Sequence, residues 1–318
     1  MPGHKPIAFL FPGQASQFTG LGQNLYDSFQ IARETFQEAS DVLGFDMAEL
    51  CFHGSEEELR LTANAQPSIL TVSIAAWRIF CQKTWHNLKI VGLAGHSLGE
   101  YSALVAAGAM QFDDALRTVR LRGQAMQEAA DAAGETMMAA LIGLTFEQIG
   151  KICEDSKVAD EILNSANFNS PKQVVISGHQ APVQSAMHKA KELGGKAILI
   201  KVSAPFHCDI MKPVESVLAE HFRGVSFNDL RIPVIKNIDA MPYRGAWEIP
   251  KALVYQTTSS VIWDVSVGQL IRSGAREIYV PCPGQVICGL MKQINPEIPV
   301  YGMDDFESMR IAFEAMKA

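Results

Sequence analysis

Residues 95–100 read Gly95-His96-Ser97-Leu98-Gly99-Glu100. An apolar run, Ile90 to Ala94, precedes them, and a second, Tyr101 to Ala107, follows. The first has the length of a buried strand, and the second opens a helix at Leu98. A Ser between two glycines at such a junction is either a tight turn or a nucleophile elbow. In an elbow the turn strains the Ser backbone and lifts its Oγ above the sheet. The glycines let neighbouring backbone pack closely, and N–H groups at the helix start face the point where an oxyanion would form. The Gly-x-Ser-x-Gly pattern alone is weak, but strand before and helix after is the context it needs.

Working outward, Ile7 to Phe11 is a buried strand stopped by Pro12-Gly13. Ile31, Phe36, Ala39 and Val42 fall at helical spacing within 28–42. Gln66-Pro67 opens a long apolar helix to about residue 83, with Pro at the start, where its missing N–H costs nothing. A further helix is expected over 112–132, ended by Gly134. After it the texture changes. A strand at 136–142, a helix at 145–155, a strand running into Asn167-Phe168-Asn169, a strand at 173–177, a helix at 181–193 and a strand at 197–202 follow in turn. That β-α-β-β-α-β order is the split, ferredoxin-like one. It predicts a small subdomain over 134–202, inserted into a larger α/β body made of 1–133 and 203–318. The body resumes with a strand at 232–238, a helix at 262–272, a strand at 277–281 and a helix at 286–293.

The bulk numbers suit a packed globular protein: 318 residues, 48% hydrophobic and 19% charged. A formal net charge of −7 argues against nonspecific nucleic-acid binding, which needs a concentrated positive surface. Six scattered cysteines form no CxxC and no zinc-finger spacing, so free thiols in a reducing compartment are expected. The N-terminal apolar run is too short for a signal peptide. No stretch approaches the roughly 18 apolar residues of a membrane span. A cytoplasmic protein with no membrane or nucleic-acid partner is the expectation.

Ser97 needs a base. His96 is adjacent but should point away from it. His4, His53, His86, His179, His188 and His221 lie in polar or helical surroundings. His207, in Ser203-Ala204-Pro205-Phe206-His207-Cys208, sits where the small subdomain returns to the large one, and clefts form at such junctions. By position it is either the base or a hydrogen-bonded loop His. Arg122 lies on an apolar helix face with Val119 and Met126. A buried Arg is either half of a structural ion pair or a bidentate clamp for a substrate carboxylate. The loop Pro12 to Gln17 has no phosphate-cradle pattern, but could offer a backbone N–H at a strand's carboxyl end.

Taken in order, Phe11-Pro-Gly-Gln-Ala-Ser-Gln17, Asn64-Ala-Gln-Pro-Ser-Ile-Leu70, the stretch 94–109, Arg120-Leu-Arg-Gly-Gln-Ala-Met-Gln127, the stretch 167–178 and the stretch 203–213 resemble the malonyl-CoA:acyl-carrier-protein transacylase family across nearly the whole chain. The resemblance implies an α/β-hydrolase-like large subdomain with a ferredoxin-like insert. It implies Ser97 as nucleophile, His207 as base, and the backbone N–H groups of Gln14 and Leu98 as oxyanion hole. Arg122 would hold the malonyl carboxylate, with Gln66, Asn167 and Asn169 in the pocket. Phe206, beside the base, is expected to disfavour a branched acyl group. Malonyl-CoA and the phosphopantetheine arm of acyl carrier protein are the implied partners. No bound cofactor or metal is implied, coenzyme A thioester being the substrate. An acyl hydrolase of the same fold is the alternative, and Arg122 argues against it.

Three departures stand out. Ala15 replaces a usual Gly, Cys282 falls in a usual Gly-Pro-Gly, and Ile262 stands where a Gln usually precedes Trp263. That position is expected to orient His207 through its main-chain carbonyl, which any side chain leaves intact. Lys189, Lys191, Lys196 and Lys201 are either a solvated face or a docking patch for an acidic carrier protein.

Overall fold

The computed structural model describes residues 5–84 and 88–317; His4 and His86 lie outside the described residues. Five strands, β1 (Ile7–Phe11), β2 (Ile90–Gly95), β7 (Val234–Ile235), β8 (Glu277–Pro281) and β9 (Val300–Met303), form a parallel sheet in the order β7-β2-β1-β8-β9. β1 is central and wholly buried, as its unbroken apolar run requires of a parallel strand covered on both faces. Its side chains alternate. Ile7, Phe9 and Phe11 enter one core, and Ala8 and Leu10 enter the other. On the first face Phe9 packs edge-on against Trp77 and Phe80 of the Thr62–Thr84 helix. On the second, the helices Trp263–Arg272 and Gln285–Ile294 cover the sheet.

The remaining strands, β3 (Thr136–Ile142), β4 (Leu163–Ser170), β5 (Gln173–His179) and β6 (Lys196–Leu199), make an antiparallel sheet in the order β4-β5-β3-β6. This is the ferredoxin-like order expected from the sequence. The helices Phe146–Asp155 and Gln180–Glu192 pack on one face, with Ala139, Leu141, Val174 and Ile176. Met138, Ala140 and Val175 face the other way, into the core shared with the large sheet. Backbone hydrogen bonds between Phe168 and Val261 and between Val261 and Ala166 lace β4 to the large body.

Several boundaries differ from expectation. The long helix begins at Thr62 and carries Pro67 inside it. Proline there frees the carbonyl of Ala63, and Arg120 Nη1 donates to that oxygen at 2.7 Å, so the lost helix bond is replaced. The 232–238 strand shrinks to Val234–Ile235, because Lys236 N–H turns back to the Met241 carbonyl. β6 ends at Leu199, and Ile200 and Val202 leave the sheet to line a cleft.

Candidate active site

The carboxyl ends of β1 and β2 lie side by side, with Phe11 in register with Gly95. The loop carrying Gln14 leaves one strand and the Ser97 turn leaves the other, the place where open α/β sheets build sites. Ser97 has φ +52°, a left-handed conformation that costs a non-glycine residue about 1–3 kcal/mol. The flanking glycines are dictated by contact. A Cβ on Gly95 would sit 1.9 Å from the Gly99 carbonyl, and one on Gly99 would sit 2.3 Å from the Phe11 carbonyl oxygen. The elbow closes only if both lack a side chain. The following helix is Gly99–Ala106, one residue later than expected. The Ser97 N–H donates to Asn237 Oδ1 at 2.7 Å, and the Gly99 and Glu100 N–H groups turn back to His96 and Ser97. Within the turn that leaves the Leu98 N–H without a protein acceptor among the described residues, and the Gln14 N–H is likewise unclaimed.

His207, itself at φ +58°, places Nε2 2.7 Å from Ser97 Oγ. Its Nδ1 faces two acceptors, the carbonyl oxygens of Gln256 at 2.8 Å and Ser259 at 3.1 Å. Nδ1 therefore carries the proton and Nε2 keeps a lone pair for the Ser hydroxyl. Burial, and then the nearby Arg122 guanidinium, push the His207 pKa down to about 3, so the ring is neutral at physiological pH. The expected carbonyl of Ile262 is not the one used: it accepts from Ser266 at the start of its own helix. The orienting role passes to Gln256, six residues upstream, because its helix end lies directly behind the imidazole.

Arg122 is buried, 2% exposed, and no carboxylate lies within 4 Å of it among the described residues. Nη1 donates to Gln66 Oε1 at 2.8 Å, and Nη2 donates to Gln256 Oε1 at 3.1 Å and to Ser97 Oγ at 3.3 Å. Its Nε has no partner among the described residues. Arg122 is thus a desolvated cation without a salt bridge among the described residues, held by neutral amides beside the Ser97 hydroxyl.

The cleft above them has a volume of about 160 Å³, and its wall includes Gln14, Asn167, Asn169, Phe206 and the residues Ser97 and His207. Two irregularities in the β4–β5 register flank Asn167 and Phe168 and re-aim β4 towards the elbow. Asn169 Oδ1 lies 2.8 Å from His96 Nε2, so His96 turns to the small sheet and away from Ser97, as expected, although it lines the cleft. Gln66 is fully buried and stands behind Arg122 instead of on the cleft wall. Phe206, 7% exposed, lines the cleft together with His207.

Two of the departures find physical meaning. Ala15 adopts φ +73°, so its Cβ costs about 1–2 kcal/mol where Gly would cost nothing; the Gln14 N–H is untouched. Cys282 is buried, its carbonyl accepting from Ser73 Oγ, and the cleft wall nearby comes from Val286, Ile287 and Leu290. All six cysteines are unpaired. No group of three or more His, Cys, Asp or Glu placed to hold a metal occurs among the described residues.

Four buried residues under the elbow escaped the sequence reading: Glu100, Asn237, Tyr243 and Gln256. Asn237 Nδ2 donates to the Gly95 carbonyl at 2.7 Å, so one side chain ties both ends of the turn. Gln256 Nε2 donates to the Ser97 carbonyl at 3.0 Å and to Glu100 Oε2 at 2.7 Å. Only Glu100 had a local signal, as the last residue of the opening stretch.

Residues 8–266 match the model of the acyl transferase domain family. The chain is 41% identical over 312 residues to the malonyl CoA-acyl carrier protein transacylase of Bacillus subtilis, covering 98% of this chain and 97% of that one. It superposes on an acyl carrier protein S-malonyltransferase from Vibrio cholerae with a TM-score of 0.91 at 39% identity, covering 97% of this chain and all of that one. It superposes equally on a malonyl-transacylase solved in complex with its type II polyketide acyl-carrier protein, with a TM-score of 0.93 at 39% identity over 98% of this chain and 99% of that one. An elbow Ser and a neutral His on the cleft wall, with a buried Arg behind the Ser, thus occur in a chain that belongs to the acyl transferase domain family.

Proposed function

We propose that this chain is an acyl-carrier-protein S-malonyltransferase working through a Ser-linked acyl-enzyme. The observation that carries the reading is the line of contacts His207–Ser97–Arg122. The first pair supplies a base and a nucleophile, and the last a cation within reach of the acyl group. His207 Nε2 takes the Ser97 proton as Oγ attacks the thioester carbonyl. The oxyanion accepts from the Gln14 and Leu98 N–H groups. The C–S bond breaks, His207 returns the proton to sulfur, and coenzyme A leaves. The malonyl carboxylate pairs with Arg122, with Gln66 behind it and Asn167, Asn169 and Phe206 shaping the pocket. The phosphopantetheine thiol of the carrier protein then gives its proton to His207 and attacks the ester carbonyl, and Ser97 recovers its proton. All the groups this chemistry needs are side chains and backbone amides, so no cofactor is invoked. The small subdomain is taken as 134–202 and the large as 1–133 with 203–318. Among the described residues no helix is long and apolar enough to cross a membrane, and we place the enzyme in the cytoplasm with its carrier protein.

Mixing with malonyl-CoA and reading intact mass tests this. A transferase accumulates one malonyl group per chain and releases it on adding holo-carrier protein, and Ser97→Ala accumulates none. Rapid turnover to free malonate without accumulation would instead favour an acyl hydrolase.

A further inference from the structure

Glu100 is 1% exposed, and the chemistry proposed above does not use it. Its carboxylate accepts three hydrogen bonds: from Tyr243 OH at 2.5 Å, from Gln256 Nε2 at 2.7 Å and from the Asn237 N–H at 3.1 Å. Burial, then the neighbouring Glu100, hold the Tyr243 phenol well above its usual range, so Tyr243 is a donor. Burial pushes the Glu100 carboxyl up to about 7, and the three hydrogen bonds pull it back down, so it is an acceptor-only carboxylate above that pH.

We propose that Glu100 is a positioning residue for acyl selection: it fixes the side-chain amide of Gln256, and that amide fixes the Arg122 guanidinium. The inference rests on Arg122 being the clamp for the acyl carboxylate. Its logic is one of hydrogen-bond polarity. A carboxylate only accepts and a guanidinium only donates. Gln256 stands between them, so its amide nitrogen must face Glu100 and its oxygen must face Arg122. Both amide hydrogens are then spent, one on Glu100 and one on the Ser97 carbonyl. The oxygen is left for Nη2 at 3.1 Å. The chain Tyr243–Glu100–Gln256–Arg122 runs from donor to acceptor without a conflict. It also gives the buried Arg122 an anionic counterpart one amide away. A direct salt bridge would take up the guanidinium outright, whereas the present neutral partners leave it without a touching anion.

A neutral amide at 100 removes the anion from this chain. Gln256 Nε2 and the Asn237 N–H both meet Oε2, so the amide oxygen keeps them only with its NH₂ turned to the Tyr243 oxygen, which reverses the first bond of the chain and leaves Arg122 without its distant counter-charge. The test compares kcat/KM for malonyl-CoA and acetyl-CoA, with holo-acyl carrier protein as acceptor, in the parent, Glu100→Gln, Glu100→Asp, Gln256→Met, the double variant Glu100→Gln with Gln256→Met, and Arg122→Ala. Glu100→Gln should lower the malonyl-to-acetyl ratio by at least tenfold, mostly through KM for malonyl-CoA. Glu100→Asp, which keeps the charge but draws it back from Gln256, should also lower it. The double variant should lose no more than the worse single one, because both lie on one chain. If Arg122→Ala leaves the ratio unchanged, the clamp itself is wrong. If Arg122→Ala lowers the ratio but Glu100→Gln does not, the clamp stands and the relay is wrong. Equal loss with both donors would make Glu100 a support of the elbow only. Full selectivity in Glu100→Asp would overturn the relay, because a carboxylate drawn back from Gln256 cannot fix its amide. Should Glu100→Gln fail to fold, Glu100→Asp and Gln256→Met decide: an undiminished ratio in either overturns the proposal.

Discussion

Arg122 Nη2 stands 3.3 Å from Ser97 Oγ, the same oxygen that lies 2.7 Å from His207 Nε2. One hydroxyl thus meets a fixed cation and a neutral base at once. The cation does not displace the base, since the short contact belongs to the imidazole. A malonyl group on Oγ would place its carboxylate one carbon beyond the ester carbonyl, within reach of a guanidinium already at the Ser. A charge-assisted pair in such a cleft is worth about 1.5–3 kcal/mol. Arg122→Ala should lower kcat/KM for malonyl-CoA about tenfold to a hundredfold and leave acetyl-CoA much less affected. Because the guanidinium also satisfies Gln66 and Gln256, thermal unfolding of the variant is measured alongside. A retained malonyl preference would return Arg122 to a structural role.

The pH dependence follows from the base. Burial and Arg122 both oppose charge on His207 and push its pKa from the usual 6.5 down to about 3. A lowered histidine pKa means the ring stays neutral until the pH falls close to that lower value. Acylation of the parent by acetyl-CoA, whose acyl group makes no use of the clamp, should therefore stay level from pH 8 to pH 5. An exposed histidine would have lost most of its base form by pH 5. Removing the positive charge of Arg122 makes the imidazolium easier to form. The acid limb of Arg122→Ala should then move to higher pH, as read from single-turnover acylation rates. A shift to lower pH would contradict the electrostatic account.

Ile262 should matter little. Its carbonyl caps a helix and does not touch the imidazole, so Ile262→Gln should change the acylation rate less than about tenfold, within roughly 1.4 kcal/mol. A larger change would show the side chain reaching the site.

The misplaced carbonyl marks where sequence reading stopped. The elbow, the alternating β1 and the split β-α-β-β-α-β order are local signals of period and turn chemistry, and they were legible. The buried polar cluster was not. Glu100 meets Asn237, Tyr243 and Gln256 across 137, 143 and 156 residues of chain, and each of these looks like an ordinary polar residue in its own neighbourhood. The Pro67 boundary failed for a similar reason. A proline is tolerated inside the Thr62–Thr84 helix because Arg120, more than fifty residues away, supplies the missing donor.

The fold divides the four lysines that the sequence leaves as either a solvated face or a docking patch. Lys189 and Lys191 ride on the Gln180–Glu192 helix, which packs on the face of the small sheet turned away from the cleft. Lys189 is already engaged with the Asp155 carbonyl. Lys196 begins β6, the edge strand, and Lys201 falls between Ile200 and Val202, which line the cleft. The same edge exposes Ile198 and Leu199, at 52% and 49%, so charge and apolar surface meet beside the entrance. A carrier protein delivering a phosphopantetheine thiol to Ser97 must sit at that entrance, and an acidic one would be steered by lysines placed there. Lys196→Glu with Lys201→Glu should raise KM for holo-carrier protein several-fold and steepen neither the malonyl-CoA half-reaction nor its salt dependence. Lys189→Glu with Lys191→Glu should change neither half-reaction. The two pairs are compared by steady-state kinetics at low and at 0.5 M salt, where screening should erase the difference for the first pair. Equal effects from both pairs would mean that only overall charge steers the partner, and damage to the malonyl-CoA half-reaction would mean that the edge substitutions had distorted the cleft.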